Sequence, residues 1–209
     1  MDCRNLDDLK NCAKIIDNGG VIVYPTDTVF GIGCDPTVEK SVLRLFAIKE
    51  RPLEKSLPVL TNDWRIASRI SHMNPQAKIL QDLFWPGKLT LVLKLKANHG
   101  LSRYVYNNHD NTVGLRVPSS PCILNLIKMT RSKLLVGTSA NLSRKIPSTR
   151  LKDIDEAILS KCDAVVGNEI LSGNDSGSTI VDVSGSGFPR IIREGAIPKE
   201  KILAALSFP

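Results

Sequence analysis

This sequence has little of what marks a membrane, secreted or metal-holding protein. No apolar run approaches the roughly 20 residues that a membrane span needs. The first ten residues, MDCRNLDDLK, carry acids and no apolar core, so we expect no signal peptide. The three histidines, His72, His99 and His109, are scattered and match no metal-ligand spacing. We therefore expect neither a resident metal ion nor a membrane contact.

Cysteine is sparse and unpaired along the chain. Its five positions are 3, 12, 34, 122 and 162, with no CxxC pair among them. An odd number of widely spaced cysteines argues against a disulfide framework and against a zinc site. The pattern predicts reduced thiols and a cytoplasmic location.

The familiar catalytic motifs are also missing. The sequence contains no GxxxxGK[ST] phosphate loop, no GxGxxG, no HExxH and no GxSxG elbow. Carboxylates spaced as an acid–base pair or as a metal cage are not evident either. This favours catalysis by positioning and electrostatic stabilisation over covalent or general acid–base chemistry.

What is present is an ordinary globular composition with excess positive charge. The 209 residues are 42% hydrophobic, which is enough for one core, so we expect a single domain over residues 1–209. The formal net charge of +7 favours an anionic partner, such as a nucleotide, an RNA or an acidic surface.

The chain is organised around residues 19–35, GGVIVYPTDTVFGIGCD. The apolar run 21–24 predicts a strand that is buried on both faces and ends at Pro25. Short polar side chains follow at the turn, and Gly31 and Gly33 leave one side of the next run bare. Either a ligand approaches this bare side, or the glycines serve close packing in a tight turn.

Helical and strand patterns alternate for most of the length, and the last part is typical of a hairpin. The sequence predicts an α/β protein with a mixed, twisted, open sheet flanked by helices. One predicted helix ends near Arg51, because Pro52 restricts the residue before it. Lys49, Arg51 and Lys55 would then lie at a helix end and in the exposed loop after it. They either relieve the helix dipole or close over an anion.

Hydroxyl groups, cations and glycines concentrate at the predicted strand ends and loops. Together they are the groups that a phosphate and carboxylate site needs. The hydroxyl and amide residues are Thr26, Thr28, Thr112, Thr138, Ser139, Asn141, Ser178 and Thr179. The cations are Lys49, Arg51, Lys55, Arg116 and Arg193.

Seven ordered blocks resemble the YrdC-like L-threonylcarbamoyladenylate synthase family. The Lys-x-Arg signature of that family matches at Lys49 and Arg51, and its Ser-x-Asn signature matches at Ser139 and Asn141. The blocks are YPTDTVFGIGCDP (24–36), IKERPLEKSL (48–57), FWPGKLTLVL (84–93), TVGLRVP (112–118), GTSANLS (137–143), GSTIVDV (177–183) and IIREGAI (191–197).

The resemblance implies a nucleotidyltransferase that condenses L-threonine, bicarbonate and ATP to threonylcarbamoyl-AMP and pyrophosphate. Mg²⁺ would enter with ATP. The product would pass to a downstream threonylcarbamoyl-transferase complex, which modifies adenosine 37 of tRNA. A direct contact with tRNA or double-stranded RNA is left open.

The resemblance also implies a role for each matching residue. Lys49 and Arg51 would be catalytic and would hold phosphates. The ATP-binding set is Lys49, Arg51, Thr112, Ser139, Asn141, Ser148, Ser178 and Arg193. The threonine and bicarbonate set is Thr28, Lys55, Arg116 and Thr138, with Arg116 pairing with the threonine carboxylate.

Two positions depart from the usual family pattern, and two other functions compete. Ser56 and Lys88 stand where the family usually has proline, and both changes should alter loop stiffness or local charge without removing a ligand. An RNA- or ribosome-binding module without catalysis would also suit the charge, but no aromatic–basic interleaving suggests base stacking. A carbamoyl-adenylate enzyme of hydrogenase maturation ranks third, because such domains normally sit in much longer chains.

Overall fold

The computed structural model describes residues 1–167 and 176–207. Within them, short capping signals in the sequence mark where helices begin. Asn5 accepts hydrogen bonds from the backbone of Asp7 and Asp8, and Asn74 caps another helix with Pro75 at its start. The helices are α1 (Leu6–Asp17), α2 (Glu39–Ile48), α3 (Trp64–Ile70), α4 (Pro75–Phe84), α5 (Pro121–Met129), α6 (Glu156–Leu159) and α7 (Lys199–Ser207), with a 3-10 turn at Leu151–Asp153.

Within the described residues the strands are short and fall into two mixed sheets. They are β1 (Ile22–Tyr24), β2 (Gly31–Gly33), β3 (Val59–Thr61), β4 (Leu89–Lys94), β5 (Thr112–Arg116), β6 (Leu134–Val136), β7 (Thr138–Ser139), β8 (Ala164–Val165), β9 (Thr179–Asp182) and β10 (Arg190–Arg193). One sheet has the order β10-β9-β4-β5-β3-β6, and the other β7-β2-β1-β8. Parallel pairs are β1–β8, β3–β5 and β4–β9. The predicted mixed α/β class is confirmed, although the strands form two open sheets.

The two sheets meet at Gly137, between β6 and β7. Val136 pairs with Val59 in the six-stranded sheet, while its N–H donates to the Cys34 carbonyl just after β2. Gly137 donates to the Pro58 carbonyl, and a Cβ there would lie 2.4 Å from Leu60 Cγ. Any larger residue at this position would force the buried Leu60 side chain to move, and the chain then enters the four-stranded sheet as β7.

Strand β1 is buried on both faces, as its continuous apolar run predicts. Ile22 and Tyr24 face a cluster formed with α1 and α5, whereas Val21 and Val23 join the larger core of the six-stranded sheet. All four side chains are fully buried. This burial fixes the turn that follows Tyr24, where the candidate site begins.

The prediction of five reduced thiols is wrong. Cys3 and Cys122 form a disulfide with their Cα atoms 5.1 Å apart, and the other three cysteines are free. The pairing follows from the packing of α1 against α5, which brings the N-terminal segment to α5 across 119 residues of sequence. Sequence spacing carries no sign of that contact.

Two further expectations concern a membrane span and a loop. In the described part of the chain, no helix has both the length and the apolar character needed to cross a membrane. The stretch 167–178, GNEILSGNDSGS, is rich in Gly, Ser and Asn and is therefore predicted to be a loop, but residues 168–175 lie outside the described part of the chain.

Candidate active site

A cavity of about 240 Å³ lies where the two sheets face each other. The four-stranded sheet and its turns supply Tyr24, Thr28 and Ser139, and the six-stranded sheet supplies Arg116 and Arg193. Seven of the residues predicted for binding line this cavity. They are Thr28, Arg51, Arg116, Thr138, Ser139, Ser178 and Arg193.

The bare side of the second apolar run is filled by the protein itself. A Cβ on Gly31 would lie 2.5 Å from the Tyr24 ring, and a Cβ on Gly33 would lie 2.0 Å from the Val136 carbonyl oxygen. The Tyr24 hydroxyl donates to that same carbonyl at 2.5 Å. Of the two alternatives for these glycines, close packing is therefore the one that the structure supports, although Gly31 also borders the cavity.

Arg116 is the most firmly held cation of the cavity. It is 5% exposed at the end of β5, and its Nε donates to the Gly87 carbonyl at 2.8 Å. One Nη donates to Asp27 Oδ1 at 2.6 Å and the other to Thr28 Oγ1 at 3.4 Å. Burial alone would raise the pKa of Asp27, but the Arg116 charge and the hydrogen bonds from Ser119 and Arg116 outweigh burial and hold it below its ordinary value.

Arg51 and Arg193 are held differently, by backbone carbonyl groups. Arg51 donates to the Ser56 carbonyl at 2.9 Å, and Arg193 donates to the Ser178 carbonyl at 2.7 Å. Burial lowers the pKa of both guanidinium groups, and the nearby charge of Arg116 lowers that of Arg193 further. Arg51, Arg116 and Arg193 all line the same cavity, which favours an anion of several charges.

Lys49 lies behind the cavity wall, contrary to the exposed loop predicted for it. It caps the C-terminus of α2 and is 2% exposed. Its ammonium donates to the backbone carbonyls of Ser139 and Asn141. Burial lowers the pKa of this ammonium to about 7, and the charge of Arg51 adds to the shift. The two signature segments are thus joined through Lys49.

Four other predicted residues lie outside the cavity lining. Lys55 is exposed in the loop that Arg51 bridges. Thr112 lies at the start of β5, four residues and about 13 Å of extended strand from Arg116. The Asn141 amide donates to the Leu142 carbonyl, and Ser148 donates to the Arg150 carbonyl beside the lining residue Pro147.

Sequence patterns did not identify Asp27 as the partner of Arg116. The two residues are 89 positions apart, and no periodicity connects a turn carboxylate with a distant strand end. Tyr24 and Thr26 also line the cavity, although the family resemblance assigned them no role. Tyr24 is the last residue of the buried strand β1, and Thr26 is one of the hydroxyl residues that follow it, so the end of that strand was the available signal.

The acidic side chains suit ion pairing better than metal binding. Over residues 1–167 and 176–207, no group of three or more His, Cys, Asp or Glu side chains is arranged to hold a metal ion. Asp27 is already engaged by Arg116 and Ser119. A divalent cation at this cavity would therefore depend on phosphate oxygens for most of its ligands.

Comparison with known proteins identifies the family of the chain. The model of the Sua5/YciO/YrdC family, described as "Telomere recombination", matches residues 14–195. The chain belongs to this family. The match includes every cavity residue named above and both signature segments.

Relatives with assigned names cover most of the chain. A threonylcarbamoyl-AMP synthase of Xanthomonas campestris pv. campestris (strain B100) is 34% identical over 169 residues, covering 78% of this chain and 87% of the relative. One of Xanthomonas euvesicatoria pv. vesicatoria (strain 85-10) is 36% identical over 170 residues, covering 78% and 86%.

Solved structures share the fold. P. abyssi Sua5 complexed with L-threonine superposes with a TM-score of 0.88 at 28% identity, covering 97% of this chain. The chain spans only 58% of that protein. E. coli YciO superposes with a TM-score of 0.83 at 22% identity, and the alignment covers 95% of this chain and 94% of the YciO chain. This likeness supports the fold alone.

Proposed function

We propose that this protein is an L-threonylcarbamoyladenylate synthase, a nucleotidyltransferase that joins L-threonine, bicarbonate and ATP. The observation that carries the proposal is the convergence of Arg51, Arg116 and Arg193 on one cavity between the sheets. The reaction gathers a carboxylate, a carbamate and a triphosphate, so it needs several fixed cations in one place. The relatives named threonylcarbamoyl-AMP synthase support the same reaction.

The chemistry is a displacement at phosphorus. Threonine and bicarbonate give an N-carboxythreonine with loss of water, and a carbamate oxygen attacks the α-phosphorus of ATP. A new P–O bond forms to the carbamate, and the bond from the α-phosphorus to the bridging oxygen breaks. Pyrophosphate leaves with the electron pair, so charge grows on the leaving group in the transition state.

Arg51 and Arg193 are placed to receive that growing charge. Their guanidinium groups are held by carbonyls, which leaves other N–H donors for phosphate oxygens. Donors fixed before the reaction stabilise the leaving group without reorganising during it. Ser139 and Ser178 lie beside them and supply hydroxyl groups to phosphate or ribose.

Arg116 and Thr28 would bind the amino acid. A guanidinium at a strand end is a rigid planar donor that suits a carboxylate. Thr28 and Thr138 lie on the opposite side, from the four-stranded sheet, and would face the amino acid and bicarbonate. Lys49 would act by holding the Ser-x-Asn turn in place, because its ammonium donates hydrogen bonds to the backbone carbonyls of Ser139 and Asn141.

Mg²⁺ would arrive on ATP and neutralise phosphate charge. The hydroxyls of Ser139 and Ser178 line the cavity and would supplement the phosphate oxygens, which would be its main ligands. The product would pass to a threonylcarbamoyl-transferase complex that acts on a tRNA adenosine. A cytoplasmic location stays a prediction, and the Cys3–Cys122 disulfide removes the thiol argument for it.

The direct experiment is a product assay. The protein is incubated with ATP, bicarbonate and Mg²⁺, and with each amino acid in turn, and pyrophosphate and aminoacyl-carbamoyl-AMP are measured. We expect both products with L-threonine and neither when threonine or bicarbonate is omitted. Equal pyrophosphate release without threonine would indicate a plain ATPase. Duplex RNA binding without any product would favour the binding module.

A further inference from the structure

Asp27 and Ser119 make Arg116 unlike the other cations of the cavity. Ser119 donates to Asp27 Oδ2 at 2.9 Å, and Asp27 Oδ1 accepts from Arg116 at 2.6 Å. The side chains of this ion pair are only 6% and 9% exposed. Arg116 is therefore fixed in direction, and the negative charge of Asp27 beside it offsets its positive charge.

Arg51 and Arg193 keep their full charge. Within residues 1–167 and 176–207, neither has a carboxylate at ion-pair distance, and both donate to neutral oxygens. Among the described residues, the cavity thus has two guanidinium groups without a carboxylate partner, those of Arg51 and Arg193, and one that is paired, that of Arg116. An anion of several charges gains most from the first two, because attraction scales with charge.

We propose that Asp27 is a positioning residue that fits Arg116 to a singly charged carboxylate and keeps polyphosphate on Arg51 and Arg193. The inference rests on the proposed function, because it assigns the two substrates to the two kinds of arginine. Asp27 acts on specificity through Arg116 and need not touch either substrate.

Asp27 repels the same anion that Arg116 attracts. An anion bound to Arg116 also feels the negative charge of Asp27 a few ångströms behind it. That repulsion is three- to fourfold larger for pyrophosphate, with a charge of about −3 to −4, than for one carboxylate, in proportion to charge. A carboxylate needs only two N–H donors, and the hydrogen bonds of Arg116 to Gly87, Asp27 and Thr28 commit three of its five.

Two substitutions separate the charge of Asp27 from its anchoring. Asp27→Asn removes the charge but keeps an oxygen that accepts from Arg116, so pyrophosphate should bind roughly tenfold tighter and threonine should change less than about threefold. Asp27→Ala also removes the anchor, so threonine should bind roughly tenfold more weakly. A purely structural role would not tighten one ligand while sparing or weakening the other.

The chain contains a matched control. Asp182 accepts from Arg190 at 3.1 Å and from the Ser184 hydroxyl at 2.7 Å, which repeats the Arg–Asp–Ser arrangement in the β9–β10 hairpin. Arg190 is exposed there. Asp182→Asn should leave the affinity for both ligands unchanged.

The affinities are measured by calorimetric titration of the full chain with L-threonine and with sodium pyrophosphate, in the absence of ATP. Binding without turnover keeps this test apart from the product assay. A wild-type chain that forms no product, but binds both ligands with the predicted shifts in the variants, supports the role of Asp27 and refutes the synthase. A chain that binds no threonine, or an Asp27→Asn variant with unchanged pyrophosphate affinity, overturns the inference.

Discussion

The Lys49 ammonium donates a hydrogen bond to the backbone carbonyl of Asn141 at 2.7 Å, and so ties the end of α2 to the turn after β7. Its second bond, to the Ser139 carbonyl, spans the same turn. A residue expected in an exposed loop is instead buried, and it braces two signature segments. The two segments therefore act as one unit, with Arg51 and Ser139 facing the cavity.

Truncating Lys49 should lower stability as well as activity. Lys49→Ala removes a buried side chain together with its hydrogen bonds to the carbonyls of Ser139 and Asn141, so we expect a loss of roughly 2–5 kcal/mol in the free energy of unfolding. Arg51→Ala, from the same signature, should cost about 1 kcal/mol or less while abolishing activity. Urea unfolding of both variants measures the difference. Equal stability of the two would refute the brace.

The stability that involves Lys49 should depend on pH. Its pKa falls from an ordinary 10.5 to about 7 in the folded protein, so between these values the unfolded chain binds more protons. Unfolding free energy should then rise with pH from about 7 to 10, at a slope of up to about 1.4 kcal/mol per pH unit. In Lys49→Met no group titrates at this position, so this pH dependence is absent. The difference between wild type and Lys49→Met, measured by urea unfolding at pH 6.5, 8 and 9.5, should grow with pH, and a flat difference would contradict the prediction.

Replacing Arg116 by lysine should affect threonine far more than ATP. Lysine keeps the charge but loses the planar fork, so we expect the threonine KM to rise tenfold or more, equivalent to about 1.5–3 kcal/mol. The ATP KM should change little. Arg193→Lys is the matched variant, and it should raise the ATP KM and spare threonine. Steady-state pyrophosphate release measures both, and the reverse pattern would exchange the two assignments.

The disulfide should stabilise the fold measurably. Cys3 and Cys122 close a loop of more than 100 residues, for which the chain-entropy model gives roughly 4–5 kcal/mol. Cys122→Ser should lower the melting temperature under non-reducing conditions, and a reductant should lower that of the wild type only. Cys162→Ser, at a free thiol, is the control. Peptide mass mapping that finds both thiols free would contradict the pairing.

The fold class was predictable from local signals, and much of the site was not. The apolar run Val21–Tyr24 predicts a buried strand, and Asn74 before Pro75 marks the start of a helix. Both signals lie within a few residues, because burial on both faces and capping are local effects. The inward turn of Lys49 depends on where β7 lies, which is 90 residues away in sequence. No short-range pattern carries that information.

The arrangement around Arg116 shows the same limit. Its place at a strand end followed from the apolar run before it, and the resemblance to a family suggested a carboxylate ligand. Its actual partner, Asp27, came from packing between the two sheets. Thr112 matched the same sequence block as Arg116, yet it lies at the other end of the strand, because a block match does not say which end faces the cavity.

Gly137, at the junction of the two sheets, links the two halves of the cavity. Arg116 and Arg193 come from one sheet, and Thr28, Thr138 and Ser139 come from the other or its turns. Neither sheet forms the cavity alone, since each supplies part of the lining. A side chain at Gly137, where a Cβ would lie 2.4 Å from Leu60 Cγ, should therefore disturb both halves of the cavity at once.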